Sequence, residues 1–589
     1  MCRMTSRLEA TLAWVTMLAA LVTLSVEGYT KTERKDDMVE VRLRQGLIYT
    51  VREDAGQGRY FYSFKGIPYA KPPVGELRFL DPVPADNWSG SRNGSIAPPL
   101  CPQLDDGEVK GSEDCLYLNV YTPAPLTVGL PVMVWIHGGS FQNGGGEQLY
   151  PPLPLMTKDI VLVAVQYRLG TLGFLSTGDS VVPGNMGLKD QTLALRWVQD
   201  NILDFGGDPA KVTIFGESAG GAAVHFQLLT PMAAGLFRRA ILQSGAALCA
   251  WALREDHRRV AITLGHHFNC LPVGDWPEEA LDSTQLLACL QQVPVKDLFL
   301  VPTSFYVWGE WPTVMRPRVD GYYLPDHPAI LLKSGLFNKV DIISGVTQHE
   351  GATHTIGIIL SEELTQAVKQ NFTVAGPASL LIEPEEDSHV YLARRVYYHY
   401  LGAPEFSQET VKEFTEMISD RYYRVCQEET AQLHAALGSL YGKKVFKYEL
   451  QHRGQFGFAD YYNSSLNKKW VGHADDLQYL FGGDGVGLDP MEDPADLFMR
   501  HIILTLWVNF AATGNPTPDG SLGFRWWPTS QSHPWYLALT TSPVMKDNAL
   551  IQELEFWKNL PTKKNLLLYP ENFLKNGTCP APAPCSDCC

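Results

Sequence analysis

Val212-Thr213-Ile214-Phe215 runs directly into Gly216-Glu217-Ser218-Ala219-Gly220 and then into Gly221, Ala222 and Ala223. A short apolar run of β-branched and aromatic residues reads as a buried strand, and the small residues after it as the start of a helix packed close by. Between them lies G-x-S-x-G, a sharp strand-to-helix turn that forces its central serine into strained backbone and projects the hydroxyl at the sheet's carboxyl edge. Outward from it, Leu130–Ile136 (LPVMVWI), Ile160–Gln166 (IVLVAVQ), Lys211–Phe215 and Val340–Ser344 are further strand-length apolar runs. Leu188–Phe205 carries Leu193, Leu195, Trp197, Val198 and Ile202 at helical spacing. Strands alternating with helices predict an α/β fold around a large, mostly parallel sheet.

A serine hydroxyl is a poor nucleophile until a base removes its proton and donors receive the oxyanion that forms. His137-Gly138-Gly139-Ser140 follows the strand VMVWI, and its two glycines let the N–H groups of Gly138 and Gly139 approach a developing negative charge. Ala219, just past the serine, offers a third N–H. The base and its orienting acid should follow Ser218 in the chain, acid first. Eight histidines lie beyond residue 350, so spacing selects none of them. Gly144–Gly146 reads as a mobile or tightly turned loop.

The chain has 589 residues, 45% of them hydrophobic, with a formal net charge of −16. It can bury a large core, and its acidity argues against a nucleic-acid partner, which requires a concentrated basic surface. Arg3 and Arg7 precede an apolar run from Leu12 to Val26, with Val26 and Gly28 placed for cleavage before Tyr29. Residues 1–28 therefore read as a secretory signal, too short to span a bilayer, and no stable membrane insertion is expected. Sequons at Asn87, Asn93, Asn371, Asn463 and Asn576 fit the same exported route.

Of eleven cysteines, Cys2 leaves with the signal. Cys101 with Cys115, and Cys270 with Cys289, could each close a short loop, although spacing alone does not determine pairing. Cys249 and Cys426 have no assigned partner. Cys579, Cys585, Cys588 and Cys589 crowd a Pro- and Cys-rich tail over 576–589. The tail lacks the interleaved histidines of a zinc site, so bridging within the chain or between chains, the latter giving a disulfide-linked oligomer, is the expectation, and no metal or cofactor is expected.

Several stretches together resemble the type-B carboxylesterase and cholinesterase family of α/β hydrolases. They are Phe64–Phe79 (FKGIPYAKPPVGELRF), Ser112–Asn119 (SEDCLYLN), HGGS, Tyr167–Phe174 (YRLGTLGF) and Gly184–Leu193 (GNMGLKDQTL), then Phe205–Asp208 (FGGD), FGESAGG, LQSG, Val319–Gly321 (VDG) and HADDLQYLFG. The resemblance implies a single α/β-hydrolase domain over 29–575. It puts the acid on Glu350, in ISGVTQHEG, and the base on His473, in GHADD, with Asp475 and Asp476 as competing partners for that histidine. Since such a triad with Ser218 spans most of the chain, a division into about four domains of 150 residues would cut the site.

The resemblance also implies hydrogen-bonding roles near the base for Glu217 and Ser244, and bridges at Cys101–Cys115 and Cys270–Cys289. LQSGAALCAW is similar to secreted arthropod esterases of the juvenile-hormone-esterase type, which usually carry Gln where this chain has Glu217. The loop CPQLDDGEVKGSEDC holds no aromatic residue, and without such a face a quaternary ammonium has little to bind. Phe305, Tyr306, Trp308 and Trp311 are aromatic candidates for pocket wall or core. The expectation is a secreted serine hydrolase acting on small-molecule or lipid esters. A lipase, and a non-catalytic binding or adhesion protein on the same fold, are the alternatives.

Overall fold

Parallel strands covered on both faces must be apolar on both sides, and the chain supplies such strands at its centre. In a computed structural model, residues 34–35, 38–56, 58–125, 129–271, 281–384, 386, 388–466, 469–482, 491–548 and 550–574 are described. Nine strands carry the argument: β1 (Arg59–Pro68), β2 (Tyr117–Thr122), β3 (Leu130–Ile136), β4 (Val161–Val165), β5 (Gly207–Glu217), β6 (Arg239–Gln243), β7 (Asp341–Thr347), β8 (Val445–Leu450) and β9 (Tyr536–Leu539). Their spatial order is β1-β2-β4-β3-β5-β6-β7-β8-β9 within a fourteen-stranded sheet. The pairings β1–β2 and β2–β4 are antiparallel, and every pairing from β4 to β9 is parallel.

Alternation along β3 separates the two faces. Val132, Val134 and Ile136 enter one core with residues of α1 (Met186–Asn201) and α2 (Ala219–Leu229). Met133 and Trp135 enter the other, where α6 (Pro494–Thr513) contributes Ile503, Leu506, Trp507 and Phe510. Between β7 and β8 lie α3 (Ala352–Leu360), α4 (Val411–Ser419) and α5 (Val425–Gly438). A five-residue π turn, Asp420–Arg424, joins α4 to α5.

The expected strand at Leu130–Ile136 has those bounds, whereas Lys211–Phe215 lies within the longer β5, which slips register between Gly207 and Val212. The helix expected over Leu188–Phe205 begins at Met186 and tightens into a 3₁₀ turn at Ile202–Phe205. Gly144, Gly145 and Gly146 form a tight turn with φ of 111°, 98° and 79°. Cys101–Cys115 and Cys270–Cys289 are bridged, and Cys249, left without a partner by the sequence, is bridged to Cys426. Asn87, Asn93, Asn371 and Asn463 are exposed. Asn576, the signal segment and the tail cysteines lie outside the described residues. Among the described residues no helix is long and apolar enough to cross a membrane.

Four of the sequence motifs pair into two structural clamps. Arg168 of YRLGTLGF is buried against Asp190 of GNMGLKDQTL, donating from Nε (2.8 Å) and Nη2 (2.6 Å), while Nη1 donates to the Leu80 carbonyl at 2.7 Å. Arg78 makes the equivalent fork to Glu113 at 2.7 and 2.6 Å and donates to the carbonyls of Gln291 and Val293. Removing one partner of a buried, fully bonded ion pair strands the other charge. Arg168→Ala should therefore cost about 3–5 kcal/mol, read as a lowered urea midpoint. An unchanged midpoint would show that Asp190 finds water or another donor.

Candidate active site

Ser218 sits at the junction of β5 and α2 with φ 57° and ψ −123°, a conformation that a side-chain-bearing residue holds only where its surroundings enforce it. The enforcement is contact. A Cβ on Gly220 would lie 2.1 Å from the Ile136 carbonyl oxygen, so only glycine lets α2 start this close to β3. Ser218 N–H donates to the Gln243 carbonyl at 2.8 Å and the Ser218 carbonyl accepts from Ala222 N–H at 2.9 Å. The turn is thus fixed from both sides before any chemistry is considered.

The His137–Ser140 loop lies directly against it. A Cβ on Gly138 would be 3.2 Å from Ser218 Cβ, and one on Gly139, at φ 101°, would be 2.2 Å from the Asn143 carbonyl oxygen. Among the described residues, the N–H groups of Gly138 and Gly139 donate to no carbonyl or side chain. His137 props this loop. Its Nδ1–H donates to the Gly138 carbonyl at 2.8 Å, its ring stacks on Tyr167 at 4.4 Å, and Tyr167 donates to its carbonyl at 2.8 Å. Burial lowers the His137 imidazole to about 4, so it stays neutral. Gln103, from the Cys101–Cys115 loop, holds the far end by exchanging hydrogen bonds with the Gly144 backbone at 2.9 and 3.0 Å.

Glu350, just past β7, is fully buried, and both of its oxygens are used. Oε1 accepts from Ser244 Oγ at 2.6 Å and from Thr347 N–H at 2.7 Å, and Oε2 accepts from His473 Nδ1–H at 2.7 Å. Ser244 therefore reaches Glu350 rather than the histidine itself. Nε2 of His473 lies 3.1 Å from Glu217 Oε1. The neighbouring acids are occupied elsewhere: Asp475 accepts from the N–H groups of Gly472 and Phe458, and Asp476 from Gln243 Nε2 and Tyr448 Oη. Neither competes with Glu350 for Nδ1.

Ser218 and His473 line one cavity of about 240 Å³ with Gly139, Glu217, Tyr150 and Phe458. His354 and Tyr423 complete the wall near His473. Neither residue carries a sequence signal, because each meets the site only through the fold. Phe305, Tyr306, Trp308 and Trp311 do not line this cavity. Trp308 is core, its indole donating to the Leu364 carbonyl at 3.0 Å, and Trp311 packs edge-on against Tyr422.

Charge in the cavity is strongly coupled. Burial raises the Glu217 carboxyl to about 8, with His473 opposing and Asp476 and Glu350 adding to the rise. Burial disfavours the His473 imidazolium, but Glu217, then Glu350 and Asp476, outweigh it and raise that group above the ordinary imidazole range. Each charge supports the other, so the two groups take up and release protons as a pair.

Residues 37–557 match the sequence profile of the Carboxylesterase family. The chain is 33% identical to venom carboxylesterase-6 of Apis mellifera over 92% of this chain and 98% of that protein. It is 36% identical to pyrethroid hydrolase Ces2a of Mus musculus, over 85% of this chain and 88% of the relative. It is 35% identical to the juvenile hormone esterase of Tribolium castaneum, over 82% and 85%.

Glu217→Gln removes the largest influence that raises His473. The imidazole should then lose its proton at lower pH, and the acid limb of fluorophosphonate labelling should move down by about one pH unit. An unmoved limb would mean that Glu217 carries no charge while the histidine titrates.

Proposed function

The chain belongs to the Carboxylesterase family, and on that premise we propose that it is an exported serine hydrolase of carboxylic esters working through Ser218, His473 and Glu350. The observation that carries the reading is the 2.7 Å bond from His473 Nδ1–H to a fully buried Glu350, with His473 lining the same cavity as Ser218. That bond fixes the tautomer, leaving Nε2 as the basic nitrogen. Nε2 faces Glu217 here. A short swing of the ring carries it to the serine hydroxyl, whose proton it takes as Oγ attacks the ester carbonyl.

The oxyanion so formed meets the N–H groups of Gly138, Gly139 and Ala219. Collapse of the tetrahedral intermediate expels the alcohol with the proton from His473, and water activated by the same imidazole then releases the acid. Glu350 holds Nδ1 and stabilises the imidazolium through that bond. Names such as venom carboxylesterase and juvenile hormone esterase among the relatives, the buried disulfides and the apolar leader support export, and the exposed sequons support glycosylation. A cavity of about 240 Å³ falls below the usual range for larger ligands and favours short-acyl esters over lipid chains.

The test is hydrolysis of p-nitrophenyl butyrate against p-nitrophenyl palmitate. Wild type should favour the butyrate, and Ser218→Ala should lose about 10⁴-fold or more in kcat together with fluorophosphonate labelling. Ser218→Ala turning over at the wild-type rate would remove the nucleophile assignment. Gly139→Ala, whose Cβ has no room, should cost about 10²–10³ in kcat through a displaced oxyanion donor.

A further inference from the structure

Tyr423 is buried and its ring lies 4.3 Å from the His473 ring, 27° from parallel. Its hydroxyl shares a hydrogen bond with His354 Nε2 at 2.7 Å. It stands in the π turn Asp420–Arg424, a feature often found where a helix must re-aim a side chain at a functional site. Three residues further on, Cys426 is bridged to Cys249, so this turn is tied covalently to the loop that follows Ser244.

We propose that Tyr423 is a positioning residue for His473, anchored by His354: its ring covers one face of the imidazole, blocks tilting, and leaves only motion within the ring plane between Glu217 and Ser218. The proposal rests on the reading of His473 as the catalytic base. A stacked neighbour resists tilting because tilting would open a gap or a clash, whereas sliding in the plane keeps the contact. The proposed reaction needs that kind of motion, since Nδ1 must stay on Glu350 while Nε2 changes partner. The negative face of the phenol ring also favours the imidazolium over the neutral ring.

Both members of the anchor keep their charge state over the working range. Burial, then Glu350 and Glu217, push the Tyr423 phenol well above its ordinary value, so it remains a donor. Burial, then the charge of His473, lowers His354 to about 3, so it stays neutral. The titratable groups facing His473 are Glu350 beyond β7, Glu217 at the end of β5, Asp476 on its own segment and His354 on α3. Tyr423 leaves the carboxylates' contacts untouched and acts on the ring face.

Tyr423 variants measured on p-nitrophenyl butyrate, with rates divided by the concentration of fluorophosphonate-titrated sites, test this. Tyr423→Met, which fills space without a π face, should lower kcat about tenfold with KM little changed. It should also move the acid limb of kcat/KM down by about half a pH unit. Tyr423→Phe keeps the face and should leave the limb in place, with kcat within about threefold of wild type. Wild-type kcat and limb in Tyr423→Met, or a limb shifted as far in Tyr423→Phe, would overturn the proposal. If Tyr423→Met yields no titratable sites, the Tyr423→Phe/His354→Leu double variant decides: the limb must hold while kcat falls, and any other result sinks the idea. His473→Ala is the control. A near wild-type rate there means the base assignment has failed and the proposal with it, whereas full loss there beside an unaffected Tyr423→Met condemns the proposal alone.

Discussion

A carboxylate with no exposure is stable as an anion only when hydrogen bonds replace the water it has lost. Glu350 meets that condition through Ser244 Oγ, Thr347 N–H and His473 Nδ1–H. These donors come from the loop after β6, from the end of β7 and from the segment that precedes α6. No local stretch of chain could supply all three. The site therefore exists only once β6 and β7 are paired and the residue 473 segment has docked, so the chemistry inherits the cooperativity of the sheet.

The serine side imposes a complementary constraint of space. The strained backbone of Ser218 is held by the Gln243 carbonyl on β6 and by the close approach of α2 to β3. The oxyanion loop is in turn propped by His137 on Tyr167 and by Gln103 from a disulfide-closed loop. Buried ion pairs elsewhere hold the frame in register: Arg168–Asp190 locks α1 to the segment after β4, and Arg78–Glu113 joins the segment after β1 to the one before β2. Motifs that stood out in the sequence far from Ser218 are thus largely these clamps, and they act on the site through the positions of strand ends.

How much could be read beforehand follows from the range of each interaction. The turn at Ser218 and the Gly138–Gly139 loop are local: strand, tight turn and small residues are contiguous, so the pattern is visible in the sequence. Glu350 and His473 lie 123 residues apart, and only the family resemblance singled them out; Ser244 was likewise placed near the base rather than on the acid it bonds. Tyr423 and His354 were not legible at all, since a tyrosine in a helical stretch and a histidine at the start of another look like core or surface until the fold joins them. The aromatic cluster from Phe305 to Trp311, open between pocket wall and core in the sequence, was decided only by the fold. It had the composition of a pocket wall, but the chain there packs against the core.

The Cys249–Cys426 bridge ties the surroundings of Glu350 to those of His473. One end sits in the loop that follows Ser244, the donor to Glu350; the other sits one helical turn beyond Tyr423, the ring on His473. The bridge closes a loop of 177 residues, and cross-linking residues so distant in sequence removes a large share of the disorder available to the unfolded chain. In a reducing compartment those two supports of the acid–base pair would be joined by packing alone, while in an oxidising one they are joined by a bond. An oxidising compartment would thus contribute to the site itself, by linking the segment that supports Glu350 to the segment that covers His473.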